Sequence, residues 1–223
     1  NPLPTTSLRV RKVHPLRAWI WLVRGWHDFM EVPQVGLAHG AVMAIFGGLM
    51  LWLAWDRFWV LAGAFSGFLL VGPLLSTGLY AVSRALLRDE PAGFATVWKV
   101  WASLDRRLIH FGILLTALGT GWVITSAALI SLGIQPPVTT PGDFLRRVVL
   151  VQEPGLFEIW LMLGALMAAP VFASSVIAIP LLMDRQVSVQ RAVHTSWRAV
   201  LANPVATGVW AGVGMGLTLL GHA

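Results

Sequence analysis

The chain has 223 residues, of which 57% are hydrophobic and 12% are charged, and its mean hydropathy is +0.73. A soluble globular domain of this length is far more polar, so the composition excludes that class and indicates a protein solvated by a lipid bilayer. The net charge of +6 comes from basic residues scattered between apolar segments, which favours anionic lipid headgroups over nucleic acid as the partner.

An amphipathic segment precedes the first long apolar run. Apolar side chains at helical spacing form one of its faces and charged side chains form another. The apolar face comprises Leu16, Trp19, Ile20, Val23, His27 and Met30, and the charged face comprises Arg17, Arg24, Asp28 and Glu31. Helices of this kind lie in the membrane interface. We therefore predict a cytoplasmic N-terminal segment with an interfacial helix at residues 1–34, followed by a transmembrane domain at residues 35–223.

Five apolar runs without central charges are long enough to cross ~30 Å of hydrocarbon. They lie at residues 35–55, 58–82, 108–134, 156–183 and 205–221. The predicted fold is an all-α polytopic membrane protein, a transmembrane helical bundle with amphipathic interfacial helices on its cytoplasmic side. Five spans leave the last one without a returning helix, so we expect a sixth span beyond Ala223 in the intact protein.

Basic residues are distributed unevenly among the predicted loops. Thirteen of the 16 Lys and Arg precede the first span or follow the second and fourth spans. They are Arg9, Arg11, Lys12, Arg17, Arg24, Arg84, Arg88, Lys99, Arg106, Arg107, Arg185, Arg191 and Arg198. Because cytoplasmic loops are enriched in Lys and Arg, we predict that the N-terminus and the even-numbered connections face the cytoplasm.

A tryptophan-containing amphipathic stretch precedes each odd-numbered span. Trp26 lies seven residues before Pro33, Trp197 lies seven before Pro204, and each proline opens an apolar span. The pattern predicts three units, each an interfacial helix followed by a hairpin, with the third hairpin incomplete. The alternative is that aromatic and basic residues simply accumulate at any cytoplasmic interface. The predicted interfacial anchors are Trp19, Trp26, Trp98, Trp101 and Trp197.

Small residues and prolines suggest where helices pack and where the chain is extended. The glycines at four-residue spacing are Gly36, Gly40, Gly63, Gly67, Gly208, Gly212 and Gly216. This spacing predicts tight helix contacts, either within the chain or with other membrane subunits of a hetero-oligomeric complex. The prolines of the loop from Gln135 to Gly155 predict an extended strap suited to docking.

The sequence offers few residues for chemistry. It has no cysteine, and no phosphate loop, HExxH motif or paired-carboxylate motif, so we expect a non-catalytic protein without a metal site. His39 and His110 both lie about one turn into a span, and bis-histidine ligation of haem is one interpretation. The simpler interpretation is two neutral histidines bonded to a carbonyl or to lipid. We therefore expect bound lipids and no haem.

Prolines inside two spans raise the alternative of transport. Pro73 and Pro170 kink the second and fourth spans, which indicates either a packing adjustment or a broken-helix substrate site. In the transport interpretation, the cytoplasmic side chains of Arg84, Arg88 and Arg106 hold anionic groups. No Asp, Glu, Lys or Arg lies at the centre of a span, which argues against proton pumping by this chain alone.

Several short motifs resemble one bacterial family. They are His14-Pro15-Leu16, Gly25-Trp26-His27-Asp28, Pro33, Gly67-Phe68, Gly72-Pro73, Gly78-Leu79-Tyr80, Ser83-Arg84, Ile179 to Arg185 and Ala199 to Pro204. Together, from about His14 to Asn203, they are similar to DUF2189, a family of uncharacterised integral membrane proteins. Its members are often labelled as cytochrome c oxidase proteins, which implies association with a respiratory complex.

The leading hypothesis is therefore a non-catalytic protein of a bacterial inner membrane that acts as an accessory or assembly subunit of a respiratory complex such as a cytochrome oxidase. One alternative is a small transporter or lipid-interacting protein. The other is a b-type cytochrome whose haem is held by His39 and His110.

Overall fold

The computed structural model describes residues 10–53, 75–103, 105–134, 137–150 and 155–220. All regular structure in these ranges is helical, which confirms the predicted all-α class. The helices are α1 (Arg17–Glu31), α2 (Pro33–Leu53), α3 (residues 75–86), α4 (Phe94–Ala102), α5 (Arg106–Gly133), α6 (Pro141–Phe144), α7 (Leu156–Ser175), α8 (Ala178–Asp184), α9 (Val189–Ala202) and α10 (Pro204–Leu220). A π-helical turn, Leu145–Val149, follows α6 directly.

Three stretches of the described chain are long and apolar enough to cross a bilayer. They are α2, α5 and the segment Leu156–Asp184 that contains α7 and α8, and they correspond to the predicted first, third and fourth spans. Most of the predicted second span lies outside the described residues, and its end is α3. α10, the predicted fifth span, has 17 described residues, which is the lower end of the spanning range. The protein is a polytopic helical membrane protein.

Two prolines mark the boundaries between amphipathic helices and apolar helices, as predicted. α2 begins at Pro33 shortly after α1 ends, and α10 begins at Pro204 shortly after α9 ends. Proline has no N–H, and the first turn of a helix does not need one. The apolar face of α1 is exposed, with Trp19 68% and Val23 52% accessible. An amphipathic helix with its apolar face exposed is suited to lie in lipid.

The chain divides into two compact units, Asn1–Pro33 with Ala173–Ala223, and Gln34–Phe172. In the first unit α1 packs on α10, where the rings of Trp21 and Trp210 meet edge to face with centroids 5.7 Å apart. This edge-to-face arrangement is one of the preferred geometries for aromatic pairs.

The side chain of Asn203 joins distant parts of the first unit. Its Oδ1 accepts a hydrogen bond from the N–H of Val13 at 2.6 Å. Its Nδ2 donates to the carbonyl oxygens of Arg11 and Ala199 at 3.1 and 3.0 Å. One amide between α9 and α10 therefore holds the segment that precedes α1.

The predicted fourth span is interrupted. α7 contains Pro170, and a short break separates it from α8. At this break the N–H of Ile177 donates to Oγ of the fully buried Ser196, and the indole of Trp197 donates to Oγ of Ser174. Because backbone polar groups need partners at membrane depth, these α9 side chains stabilise the interruption.

In the second unit, α5 and α7 pack through aromatic side chains. Nε1 of Trp160 donates to Oγ of Ser126 at 2.6 Å, and the Trp160 ring lies 5.8 Å from that of Trp122. Gly164 permits this approach, since a Cβ there would lie 3.2 Å from the Trp122 ring. The hydrogen bond and the rings together fix the register of the two helices.

The prediction of an extended loop from Gln135 to Gly155 is wrong for residues 141–149, which are helical. Pro141 opens α6, and Thr140 with Asp143 forms a reciprocal capping box, which is a helix start rather than a chain break. Two residues of this loop belong to a hydrophobic cluster. That cluster comprises Ile130, Val138 and Val148, with Ile134, Phe144, Phe157 and Trp160 packed against it.

Most glycines predicted to mediate helix contacts face open space in the described chain. A Cβ on Gly40, Gly208, Gly212 or Gly216 would meet no atom of a neighbouring element within 4 Å. Gly63 and Gly67 lie outside the described residues. Close approaches occur instead at Gly78, Gly133 and Gly164. Spacing along a helix identifies small residues but not the face that meets a neighbour, so contact of the predicted set, Gly36 included, with another subunit stays a prediction.

Candidate ligand site

One histidine is buried inside a membrane-spanning helix. His39 lies in the second turn of α2, and 9% of its surface is exposed. Its Nδ1 lies 2.8 Å from the carbonyl oxygen of Val35, one turn earlier. Because a carbonyl oxygen only accepts, Nδ1 carries the proton of this bond. In the neutral imidazole, Nε2 is then a hydrogen-bond acceptor.

This second ring nitrogen of His39 has no hydrogen-bond donor among the described residues. The ring of Trp101 from α4 lies 5.6 Å from the imidazole ring. A Cβ on Gly78 of α3 would lie 3.1 Å from Nε2 and 2.8 Å from Cγ1 of Val97, so only glycine permits this approach. A buried acceptor without a donor costs about 1–3 kcal/mol. Such an atom inside a membrane span indicates a functional site.

An apolar cavity of about 360 Å³ adjoins the imidazole. Its walls come from three helices and are Ala38, His39 and Val42 of α2, Leu75 of α3, and Phe94, Val97, Trp98 and Trp101 of α4. The aromatic members share one face of α4 because their positions are three, four and seven residues apart. Small-molecule sites have volumes of roughly 300–1,000 Å³ and apolar walls with a few polar atoms. This cavity matches that description.

The opposite face of α4 borders a charged cavity of about 660 Å³. Its lining residues are Ala81, Arg84 and Ala85 of α3, Glu90 and Pro91 of the connecting turn, and Ala95, Thr96, Lys99, Val100 and Ser103 from α4 and its end. Arg84 and Lys99 contribute two positive charges against the one negative charge of Glu90. Of the three predicted anion-binding arginines, Arg84 lines this cavity, and Arg88 and Arg106 do not.

The turn between α3 and α4 positions the helix that separates the two cavities. Asp89 adopts a left-handed backbone with φ of 54°, a conformation that Asp tolerates better than most residues. The next N–H, that of Glu90, donates to the carbonyl of Ala85 and ends α3. Oγ1 of Thr96 donates to the carbonyl of Pro91 at 3.1 Å and ties the start of α4 to the turn.

The two predicted haem ligands occupy different environments. His39 is buried, whereas His110 of α5 is exposed. In the part of the chain that the structure describes, no group of three or more His, Asp or Glu is placed to hold a metal ion. Haem ligation by these histidines stays the alternative interpretation, and the expectation of bound lipids without haem stays a prediction.

The predicted interfacial tryptophans also differ in their surroundings. Trp19, Trp26 and Trp98 are 65% exposed or more, while Trp101 is half-buried against His39 and Trp197 is bonded to Ser174. Sequence reasoning missed the grouping of His39, Gly78 and Trp101 because these residues are far apart in the chain. The sequence feature that could have located the site is His39 itself, because an ionisable side chain within a membrane span often marks a functional site.

The chain is similar to a probable ABC transporter permease protein of Synechocystis sp., with 28% identity over 135 residues. The aligned region is 60% of this chain and 44% of the permease, so the chain spans less than half the length of this curated relative. No solved structure matches the chain.

The DUF2189 profile, described as a predicted integral membrane protein, matches residues 60–184. This range contains Gly78 and Trp101, whereas His39 precedes it. It lies within the region from His14 to Asn203 over which the sequence motifs resemble the same family. Because the match covers more than half of the 223 residues, the chain belongs to the DUF2189 family of predicted integral membrane proteins.

Proposed function

We propose that the protein is a non-catalytic, membrane-spanning subunit of a transport system, and that it binds a lipid-like solute between α2, α3 and α4. The observation that carries this proposal is the apolar cavity of about 360 Å³ beside a buried acceptor in α2. Similarity to a probable ABC transporter permease supports it. A permease-type subunit needs a passage and a binding site but no catalytic residues. This proposal therefore suits a sequence without a phosphate loop, an HExxH motif or a paired-carboxylate motif.

The charged cavity supports an additional contact with anionic lipid. Arg84 and Lys99 line it on the face of α4 that is opposite the aromatic side chains. Basic side chains near a membrane surface attract anionic headgroups with about 1 kcal/mol each. Bound lipids are therefore the ligands that we propose, and the mechanism requires neither haem nor a metal.

We further propose that the protein lies in a bacterial inner membrane with a cytoplasmic N-terminus, which the Lys and Arg distribution supports. The chain has no cysteine, so single cysteines report their side of the membrane without background. In spheroplasts, an impermeant maleimide should label Arg146→Cys and leave Gln186→Cys unlabelled. The reverse labelling would contradict this orientation. Both positions are exposed in the structure.

Thermal stabilisation of the full chain in nanodiscs tests the binding step. A solute at 100 times its Kd adds about 2.7 kcal/mol of stability. We expect at least one lipid-like solute to raise the Tm of the wild type and to be transported in energised vesicles. Ala38→Phe, which fills the cavity, should abolish both effects. Ala44→Phe is the matched control, because Ala44 lies on the same helix but is exposed. A panel in which no solute raises the Tm would contradict the proposal.

The accessory or assembly role in a respiratory complex such as a cytochrome oxidase is the second candidate. It is favoured by the glycines of α2 and α10 that face open space, since small residues let a partner helix approach closely. Native purification of the full chain separates the two candidates. Recovery of a haem-containing oxidase supports the accessory role, whereas recovery of an ATP-hydrolysing subunit supports transport.

A further inference from the structure

The buried nitrogen of His39 restricts what the apolar cavity binds. Nδ1 donates to the Val35 carbonyl, so Nε2 of the neutral ring requires a donor, and none of the described residues supplies one. A hydrocarbon chain in the cavity leaves this acceptor unpaired. A ligand that carries an O–H group removes the penalty of the unpaired atom.

We propose that the cavity selects a neutral, lipid-like molecule with a single hydroxyl donor, and that this hydroxyl donates to Nε2 of His39. The inference rests on the proposed function in that both place the ligand in the same cavity. The apolar body of the ligand lies along the aromatic face of α4, against Phe94 and Trp98. The hydroxyl lies at the end of the ligand that faces His39 of α2.

The charge distribution around α4 favours a neutral ligand. The cavity beside His39 has no Asp, Glu, Lys or Arg among its lining residues, and Arg84, Glu90 and Lys99 line the cavity on the opposite face of α4. An ionised group among apolar walls is strongly destabilised unless it is paired. A carboxylate or phosphate also has no proton to donate to an acceptor nitrogen. A hydroxyl group carries no charge and has a proton to donate, so it suits both the apolar walls and the acceptor nitrogen.

Trp101 lies beside the imidazole and is the side chain that we expect to move when the ligand binds. Its ring lies 5.6 Å from that of His39, and Nε2 is covered in the structure. Its neighbour Trp98 is 71% exposed at the rim of the cavity. We expect the hydroxyl to reach Nε2 after the Trp101 side chain turns aside, and this movement should change the environment of the indole.

Matched ligands test the hydroxyl without altering the protein. Tritiated 4-nonylphenol and its methyl ether have the same apolar body, but only the phenol has a donor. We expect the full chain in nanodiscs to bind the phenol about tenfold more tightly than the ether, which is the effect of one buried hydrogen bond. Equal affinities would overturn the inference. Dodecanol and its methyl ether, compared in the same way, decide whether the body must be aromatic, and a preference for either alcohol supports the hydroxyl contact.

Variants then assign the preference to His39. His39→Phe keeps a planar ring without nitrogen, and we expect this variant to bind 4-nonylphenol about as weakly as it binds the methyl ether. His110→Phe is the matched control at an exposed position and should keep the tenfold preference. Binding of 4-nonylphenol should change the tryptophan fluorescence of the wild type more than it changes that of Trp101→Phe. If the His39→Phe protein still prefers 4-nonylphenol to its methyl ether, the hydroxyl does not bind at His39 and the assignment is overturned.

The cavity-filling variant separates this inference from the proposed function. If Ala38→Phe weakens both ligands but the wild type does not distinguish them, the cavity is a binding site and only the hydroxyl inference fails. If Ala38→Phe weakens neither ligand, the cavity is not the binding site and the proposed function fails as well.

Discussion

Two tryptophan contacts within residues 34–172 use similar ingredients with different results. Between α5 and α7, the indole of Trp160 donates to Ser126, and Gly164 makes room for a second ring. Between α2 and α4, Trp101 lies against His39, and Gly78 makes room, but Nε2 has no donor within the described chain. Aromatic rings and glycines occur in both. Completion of hydrogen bonding, and not composition, distinguishes the structural contact from the candidate binding site.

The largest effect is expected where the contact is complete. Trp160→Ala removes the hydrogen bond to Ser126 and the packing against the loop cluster, and should lower the free energy of unfolding by about 3–5 kcal/mol. Reversible unfolding in mixed micelles measures it. Trp52→Ala is the control, because Trp52 is 77% exposed and its loss should change stability by about 0.5 kcal/mol or less. Equal losses would mean that the contact of Trp160 contributes no more to stability than an exposed tryptophan does.

A methyl group at Gly78 tests the close approach at the binding site. Gly78→Ala places a Cβ 2.8 Å from Val97 and 3.1 Å from His39, and this overpacking should cost about 1–3 kcal/mol of stability and abolish solute binding. Gly40→Ala, which meets open space in the middle of α2, should instead be neutral or stabilise the protein by about 0.5–1 kcal/mol. The same unfolding assay with a binding titration checks both. Tolerance of alanine at 78 would contradict the observed packing.

Substitutions that remove polar atoms from the two contacts should differ in their effect on stability. Ser126→Ala leaves the indole N–H of Trp160 without its acceptor and should cost about 1–3 kcal/mol. His39→Phe removes Nε2, which has no donor in the described chain, and also the hydrogen bond from Nδ1 to Val35. The two effects offset each other, so stability should change by about 1 kcal/mol or less while hydroxyl selectivity is lost. Thermal unfolding of ligand-free samples compares them. Destabilisation of both variants to the same extent would mean that Nε2 is paired.

The smallest effect concerns the loop that covers the complete contact. Hydrogen bonds from Thr139 and Thr140 lower the pKa of the Asp143 carboxyl below 3.8. A carboxyl whose pKa is lower in the folded state stabilises the fold above its unfolded pKa, and that contribution is lost as pH falls through the folded value. The protection factors of residues 140–149 against hydrogen exchange, which are corrected for the pH dependence of the intrinsic rate, should therefore fall below about pH 4. Asp143→Asn should show no such dependence, and an unchanged pH profile in this variant would assign the effect to another group.

The helices follow from sequence where one physical factor dominates. Continuous apolar runs identify α2, α5 and α7, because burying a polar residue in hydrocarbon is costly at every position of a span. Pro33 and Pro204 locate helix starts because proline lacks an N–H. Pro141 was misinterpreted, since the capping side chains of its neighbours outweigh its tendency to end a helix.

The site depends on which helix faces meet, and sequence periodicity does not specify this. The sequence places His39 about one turn into a span, but it predicts Gly78 only as part of a family motif and Trp101 only as an interfacial anchor, whereas the structure places both beside His39. Gly40 has favourable spacing yet faces open space, whereas Gly78 lies at a close approach. Hydropathy measures the average preference of a segment for lipid, so it cannot locate a single acceptor inside an apolar wall.

The amide of Asn203 has a consequence for the order of biosynthesis. It bonds to Val13 across 190 residues of chain, so the segment before α1 cannot take its final place until Asn203 has been synthesised. At about 5–20 residues per second, this delay is roughly 10–40 s. During that interval the intervening spans enter the membrane while the first segment awaits its partner. The contact therefore forms after the spans between residues 13 and 203 have been synthesised, and a ribosome stalled before Asn203 should display residues 10–13 in a form that proteases cleave.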